Sequence, residues 1–185
     1  MKENESTLHY VLRLTVILLA ITLVVAALLG AVNAVTKEPI AAITAQKVTE
    51  AIRTVLPSEE TPEQVEDFND PSGLVKAYYK VGDAGYVAEV VVGGSQADID
   101  MMVGVAADGT VSGISFISMS ETSGLGAVAA QDSSKGSAFR DQFIGLSGEL
   151  KVDKDGGSID SLTGATVTSR AVTKAVNAAL GCSVN

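Results

Sequence analysis

The sequence predicts an α+β domain with a largely antiparallel sheet flanked by helices, tethered to a bilayer by a single N-terminal membrane-spanning helix. Three observations carry that prediction. Residues 14–35 form an uncharged apolar run, residues 74–118 hold four β-type segments separated by turn signals, and the last third of the chain has apolar residues at helical spacing.

The apolar run is dominated by Leu, Val, Ile and Ala, and as a helix it would span roughly 33 Å at about 1.5 Å per residue, enough for a bilayer core. Val32-Asn33-Ala34 would serve as a small-residue cleavage site of a signal peptide, but the run exceeds the usual signal region of about 7 to 15 residues, which favours a retained anchor. No cysteine lies nearby to carry a lipid. Lys2 and Arg13 before the run balance Lys37 and Lys47 after it, so the positive-inside rule gives no orientation. The expected layout is a short N-terminus (1–13), the span (14–35), a stalk helix and acidic linker (36–72), and one domain (73–185).

Pro39 is expected to open the stalk helix, with Ile40, Ile43, Val48, Ile52 and Val55 along one side and Pro57 closing it. Residues 58–72 are acidic, contain Pro62 and Pro71, and read as the linker. Strands are expected at 74–81, 86–92, 101–106 and 111–118, with turns at 82–85 and at Asp108-Gly109. Helices are expected at 137–144 and 167–180, Gly181 stopping the second, with a short strand at 149–152.

Composition excludes several chemistries. Lys2 and Arg13 offset Glu3 and Glu5, so the whole net charge of −9 falls on residues 36–185, a surface that repels nucleic acid. Cys182 is the only cysteine, which rules out an intrachain disulfide or a cluster held by four thiolates of this chain. The only histidine, His9, precedes the span, so the domain can build neither a Ser-His-Asp triad nor a His-based zinc site. Asp98 with Asp100 and Asp153 with Asp155 are possible hard-cation pairs, but they read more simply as solvated loop acids, and no metal is expected.

The segment Asp160-Ser-Leu-Thr-Gly-Ala-Thr-Val-Thr-Ser169 is a hydroxyl-rich turn running into the C-terminal helix. Gly164 and Ala165 leave backbone amides accessible to a phosphate, and the helix that follows adds the positive end of its dipole, beside the Thr166 hydroxyl. Arg170, one turn on, would lie on the same side and could meet a phosphate oxygen. Ser, Thr and Gly before an apolar helical run also describe an ordinary capped helix, and the residues alone leave both readings open. Gly124 to Ala129 fits a Gly-x-Gly-x-x-Ala dinucleotide fingerprint, but no strand leads directly into it, so a Rossmann site is set aside.

Asp160 to Ser169 resembles the flavinylation signature of the FMN-binding domain family: an aspartate, two spacers, Ser or Thr, Gly, Ala, then the Thr or Ser that carries the flavin. Every position is filled. Glu121-Thr122-Ser123-Gly124-Leu125-Gly126 resembles the family's Glu-Thr-Pro-Gly-Leu-Gly loop, with Ser123 in place of Pro and Met119 where His is common. Phe139 to Gly145 resembles the family's Phe, Gln-Phe and Gly helix. The resemblance covers roughly residues 75 to 180 and is strongest to the G subunit of Rnf ion-translocating ferredoxin:NAD oxidoreductases, with the C subunit of sodium-translocating NADH:quinone reductases further off.

The resemblance implies FMN bound covalently to Thr166 by a phosphodiester that a flavin transferase makes from FAD. Asp160, Thr163, Gly164 and Ala165 would form the recognition turn, Thr168 and Ser169 would be further cofactor-binding residues, and Glu121, Thr122, Gly124 and Leu125 would belong to the non-covalent shell. It further implies a flavin domain on the outer face of the membrane and a relay within an Rnf-type complex of membrane subunits, coupling ferredoxin oxidation and NAD reduction to Na⁺ or H⁺ movement. No catalytic residue or substrate pocket of its own is expected. The other readings are a free-standing anchored flavoprotein and a non-redox binding or assembly domain.

Overall fold

A computed structural model describes the backbone of residues 2–184, in two units: the first ends at Ala45, the second starts at Gln46. Helix α1, Lys2–Val55, enters both. Pro39 lies inside it rather than at its start. A proline there costs one amide donor, and the helix-compatible residues on either side carry the helix through.

In the first unit the apolar side chains from Tyr10 to Val35 are all exposed, and α1 is the one helix among the described residues long and apolar enough to cross a bilayer. Thr15, Thr22 and Thr36 turn their hydroxyls back to the carbonyls of Val11, Leu19 and Val32, each at 2.9 Å. These three hydroxyls are thereby satisfied within the helix, as suits a lipid environment.

The second unit is built on a five-stranded antiparallel sheet. Its strands are β1 (Glu63–Val65), β3 (Val75–Val81), β4 (Gly85–Gly93), β5 (Asp98–Ala106) and β6 (Val111–Ser118), in spatial order β1-β3-β4-β5-β6. β2 (Phe68–Asn69) pairs separately with β7 (Ser183–Val184). The four strongest strands follow the expected segments. Residues 58–72 do not run as a bare linker, because Glu63–Val65 pairs with Val65↔Tyr78 to Glu63↔Lys80 register on the sheet edge. Alternation sorts the side chains between the faces. Ala88, Val90, Val92, Ile99, Met101, Val103 and Val105 face helices α2 (Ser134–Asp141) and α3 (Thr166–Leu180), while Val81, Val87, Met102 and Ile117 meet Ala51, Ile52, Val55 and Leu56 at the end of α1.

α2 begins earlier than the apolar spacing predicts, because Ser133 accepts the amide of Gly136 at 3.2 Å and caps it. The expected strand at 149–152 reduces to one parallel bridge, Val152 with Ile159. Cys182 is buried, donates to the Ala178 carbonyl at 3.4 Å, and burial, with Asp70's charge adding, pushes its thiol up to about 11. It is therefore a protonated core residue at neutral pH.

The end of α1 docks on two glycines that face each other across β5 and β6, Gly104 and Gly113. Ser112 donates its hydroxyl to the Val55 carbonyl at 2.6 Å, and a Cβ on Gly104 would fall within 2.6 Å of that same oxygen. Gly104→Ala is expected to lower stability by about 1–3 kcal/mol through this overlap, read from chemical denaturation of the full chain in detergent; an unchanged midpoint would show that the helix end is not seated there.

Candidate functional site

Glu121, just after β6, gathers three donors from two other parts of the unit. One carboxylate oxygen accepts the amides of Ser95 and Gln96, at 2.7 and 3.0 Å, from the β4–β5 connection, and the other accepts the Thr168 hydroxyl at 2.7 Å from the first turn of α3. Burial alone would raise its pKa, but the donors at Gln96, Thr168, Ser95 and Ala97 outweigh it and hold the group below the ordinary 4.5. Two glycines make room for this contact. A Cβ on Gly126 would lie 2.8 Å from the Glu121 carboxylate, and one on Gly94 would lie 2.6 Å from the Ala97 carbonyl and closer still to Glu121.

Two turns of the same build meet beside Glu121. In Thr122-Ser123-Gly124-Leu125 the Leu125 amide returns to the Thr122 carbonyl at 3.1 Å with Gly124 at φ 75°; in Leu162-Thr163-Gly164-Ala165 the Ala165 amide returns to the Leu162 carbonyl at 2.9 Å with Gly164 at φ 74°. Both put glycine at the third position, where a positive φ is needed. Ser123 occupies the second position, where the family's proline would preset the backbone, and the turn hydrogen bond forms without it. Met119 packs against the core. A Cβ on Gly164 would sit 3.1 Å from Leu125, so the turns are in contact.

Leu125 forms a ridge between two open clefts. One, of about 310 Å³, is lined by Ser95, Glu121, Thr122 and Gly126 on one side and residues 164–168 on the other. The second, of about 600 Å³, is lined by Val128, Phe139, Leu162 and Thr163 with the polar groups of Lys135, Gln142 and Asp160. Leu125 and Val167, at the clefts, are 42% and 53% exposed, and with Ile144 they are the only large apolar residues exposed after Ile43 among the described residues.

The five hydroxyls of the motif divide sharply, and Ser161 donates its hydroxyl to Asp153. Thr168 is buried and committed to Glu121, and Ser169 is buried, accepting the Leu162 amide and donating to the Ala165 carbonyl, both at 3.0 Å. Thr163 and Thr166 have no side-chain partner among the described residues, and of these Thr166 lines the smaller cleft as the first residue of α3. The N-cap is Ala165, which offers no side-chain oxygen. Thr166 therefore does not cap the helix, and no side chain caps its first turn, whose residues 166–168 line the cleft.

The rest of the motif is held from outside. The Gln142 amide group accepts the Asp160 N–H at 2.7 Å and donates to the Asp160 carbonyl at 3.3 Å; Asp153 accepts the Ser161 amide at 3.0 Å and, in a short hydrogen bond, its hydroxyl. Arg170 does not join the residues around Thr166. Its guanidinium makes two 2.7 Å hydrogen bonds to Asp155. Asp153 and Asp155 are thus engaged, not merely solvated, and Asp100 pairs with Lys76 at 3.4 Å. No group of three or more His, Cys, Asp or Glu that could hold a metal is gathered among the described residues.

The FMN-binding domain family matches residues 94–181, from the glycine beneath Glu121 to the end of α3. The G subunit of an ion-translocating oxidoreductase complex from Methanosarcina acetivorans is 31% identical over 177 residues, covering 91% of this chain and 92% of that protein. The chain belongs to this G-subunit family. The G subunit of the Na⁺-translocating ferredoxin:NAD⁺ oxidoreductase complex of Acetobacterium woodii is 30% identical, covering 90% of this chain and 88% of the relative. The G subunit of the proton-translocating complex of Clostridium ljungdahlii is 39% identical over 95 residues, 51% of each chain.

Within this family member, sequence reasoning brought together Glu121, Thr122, Leu125 and the 164–168 turn, which share one cleft, and Gly124, Asp160 and Thr163, which share the other. It missed Gly94, Ser95 and Gln96, whose signal is only a Gly-Gly pair ending a strand, and it missed the contacts of Gln142 with the Asp160 backbone and of Asp153 with the amide and hydroxyl of Ser161, which have no sequence signature.

Glu121→Gln keeps an acceptor for the two amides but cannot accept from Thr168 with its amide nitrogen, so it is expected to cost about 1–3 kcal/mol at pH 7. Because the folded pKa lies below 4.5, the carboxylate's contribution is complete above that value and is lost as pH falls through the folded pKa. The stability gap between wild type and Glu121→Gln should narrow below pH 4.5; a gap constant from pH 7 to pH 3 would refute the charged network.

Proposed function

We propose that this chain is the membrane-anchored, electron-carrying G subunit of an Rnf-type ferredoxin:NAD oxidoreductase complex, with FMN joined to Thr166 by a phosphodiester. The observation that carries the reading is the Thr166 hydroxyl, unpartnered at the N-terminus of α3 in a cleft shared with the 121–126 loop. FMN supplies one- and two-electron redox chemistry that no side chain of this chain has.

The residues fit that group. The first-turn amides of α3 and the helix dipole suit a phosphate on Thr166. Gly164 and Ala165 keep side chains off that approach, while Glu121, through Thr168, fixes the turn of helix that presents the hydroxyl. Leu125 offers an apolar face at the ridge, and the larger cleft, with Val128, Phe139 and Leu162 as walls, is the one that suits a flat aromatic ring. Arg170 acts on the loop through Asp155 and not on the phosphate.

The membrane arrangement follows the same reading: residues 1–13 in the cytoplasm, 14–35 across the bilayer, and the flavin domain on the outer face, beside the other membrane subunits of the complex. The relatives' names include both a Na⁺- and a proton-translocating complex. Residues 14–35 contain no ionisable side chain, so this span carries neither ion itself.

The test is the intact mass of denatured full-length chain produced with and without a flavin transferase. Wild type should gain the mass of FMN less water, on the Thr166 peptide, and remain yellow; Thr166→Ala should gain nothing and fold as before. A retained adduct in Thr166→Ala would move the site to Thr163, the other unpartnered hydroxyl, and an unmodified wild type beside an active transferase would overturn the reading.

A further inference from the structure

Residues 160, 161 and 162 are consecutive, and each has its amide N–H taken by a side chain from a different place in the chain. Gln142, just after α2, takes the first; Asp153, in the 152–159 loop, takes the second; Ser169, in α3, takes the third. Gln142 also grips the Asp160 carbonyl, so that residue is held at both ends.

The middle anchor is itself built. The 152–159 loop is closed by the Asp153 amide to the Ile159 carbonyl at 2.7 Å and by the Gly157 amide to the Val152 carbonyl at 2.9 Å. Gly157 lies so close to the Lys151 carbonyl that a Cβ there would collide with it. Asp155 on the same loop is tied to Arg170 on α3, so the anchor is braced against the helix whose first residue is Thr166. The held segment is only partly buried: Asp160, Thr163 and Gly164 are exposed, Ser161 and Leu162 are half-buried with Leu162 against the core, and Ala165 is buried. Beside the packing of Leu162 and Ala165, three side-chain hydrogen bonds therefore define its shape.

We infer that Gln142, Asp153 and Ser169 form a clasp that holds the 160–165 loop in the shape a flavin transferase takes up, which makes Gln142 and Asp153 positioning residues for flavin attachment. This rests on the reading of Thr166 as the acceptor. In the attachment step the Thr166 oxygen forms a bond to the FMN phosphorus of FAD, the pyrophosphate bond breaks, AMP leaves and the hydroxyl proton is released; no electrons change hands. A loop already ordered loses little freedom when the transferase binds it, whereas an unclasped loop must be ordered on binding. The clasp therefore governs how tightly the chain is bound as a substrate, not the rate once bound.

The experiment uses purified flavin-free full chain, FAD and a flavin transferase, and follows AMP release and intact mass with the chain as varied substrate. Gln142→Ala and Asp153→Ala should each raise KM for the chain roughly tenfold with kcat nearly unchanged, while Asp153→Asn, which keeps the acceptor oxygen for Ser161, should restore most of the wild-type KM. Gly104→Ala, destabilised on the opposite face of the sheet, should keep the wild-type KM. Equal KM values for wild type and the alanine variants would overturn the clasp, as would an equal rise in Gly104→Ala, which would reduce the effect to stability. A wild type that releases no AMP and gains no mass would instead bring down the acceptor reading itself.

Discussion

The site depends on the carboxylate of Glu121. It joins three segments distant in sequence: the β4–β5 connection through Ser95 and Gln96, the 121–126 loop that carries it, and α3 through Thr168. Three donors converge on one charged acceptor, and such bonds are roughly twice as strong as neutral ones. The contact also explains two glycines that no local turn demands, Gly94 and Gly126, because any side chain at either would occupy the space the carboxylate needs. Once Glu121 is fixed, the turn after it and the turn before Thr166 are fixed against each other, and the clefts on either side of Leu125 follow.

The sheet supplies the rigidity behind this arrangement. α3 lies on the face lined by Ala88, Val90, Met101 and Val103, with Ala175, Val176 and Ala179 fully or almost fully buried against it. Small residues at those positions let the helix lie close to the strands, so the position of its first residue is set by core packing. α2 is held separately, through Phe139 and Phe143, whose rings meet edge to face at 5.5 Å. The Thr166 hydroxyl is thus placed by a helix locked into the core, and the loop that leads to it is placed by polar side chains at the surface.

What the sequence revealed and what it hid divides along the same line. Strands 75–81 and 111–118 and helix 166–180 were legible because alternation and helical spacing record burial directly. The motif residues were legible because a turn with glycine at its third position leaves a local signature. Pro39 misled, since a proline inside a long helix costs one hydrogen bond and does not have to end it. Arg170 was placed on the side of Thr166 by spacing along the helix, yet its fork found Asp155, a bidentate partner that only the folding of the 152–159 loop brings near. Contacts from side chain to distant backbone, such as Gln142 with Asp160, leave no pattern in the sequence because the partner's identity is irrelevant to the bond.

The charge around the clefts bears on the proposed covalent attachment. A site that holds a free phosphate monoester by affinity typically sets arginine or lysine against its two negative charges. The smaller cleft has Glu121 as its only charged lining residue, the larger sets Lys135 against Asp160, and Arg170 is committed elsewhere. Residues 36–185 also carry the whole net charge of −9. Such a surface disfavours a free dianion at every distance the salt does not screen. In the proposed attachment, esterification to Thr166 would remove one of the two phosphate charges and make the remaining contacts intramolecular, so that helix-end amides and the apolar walls of Leu125, Phe139 and Leu162 would suffice to orient a ring they are not equipped to recruit.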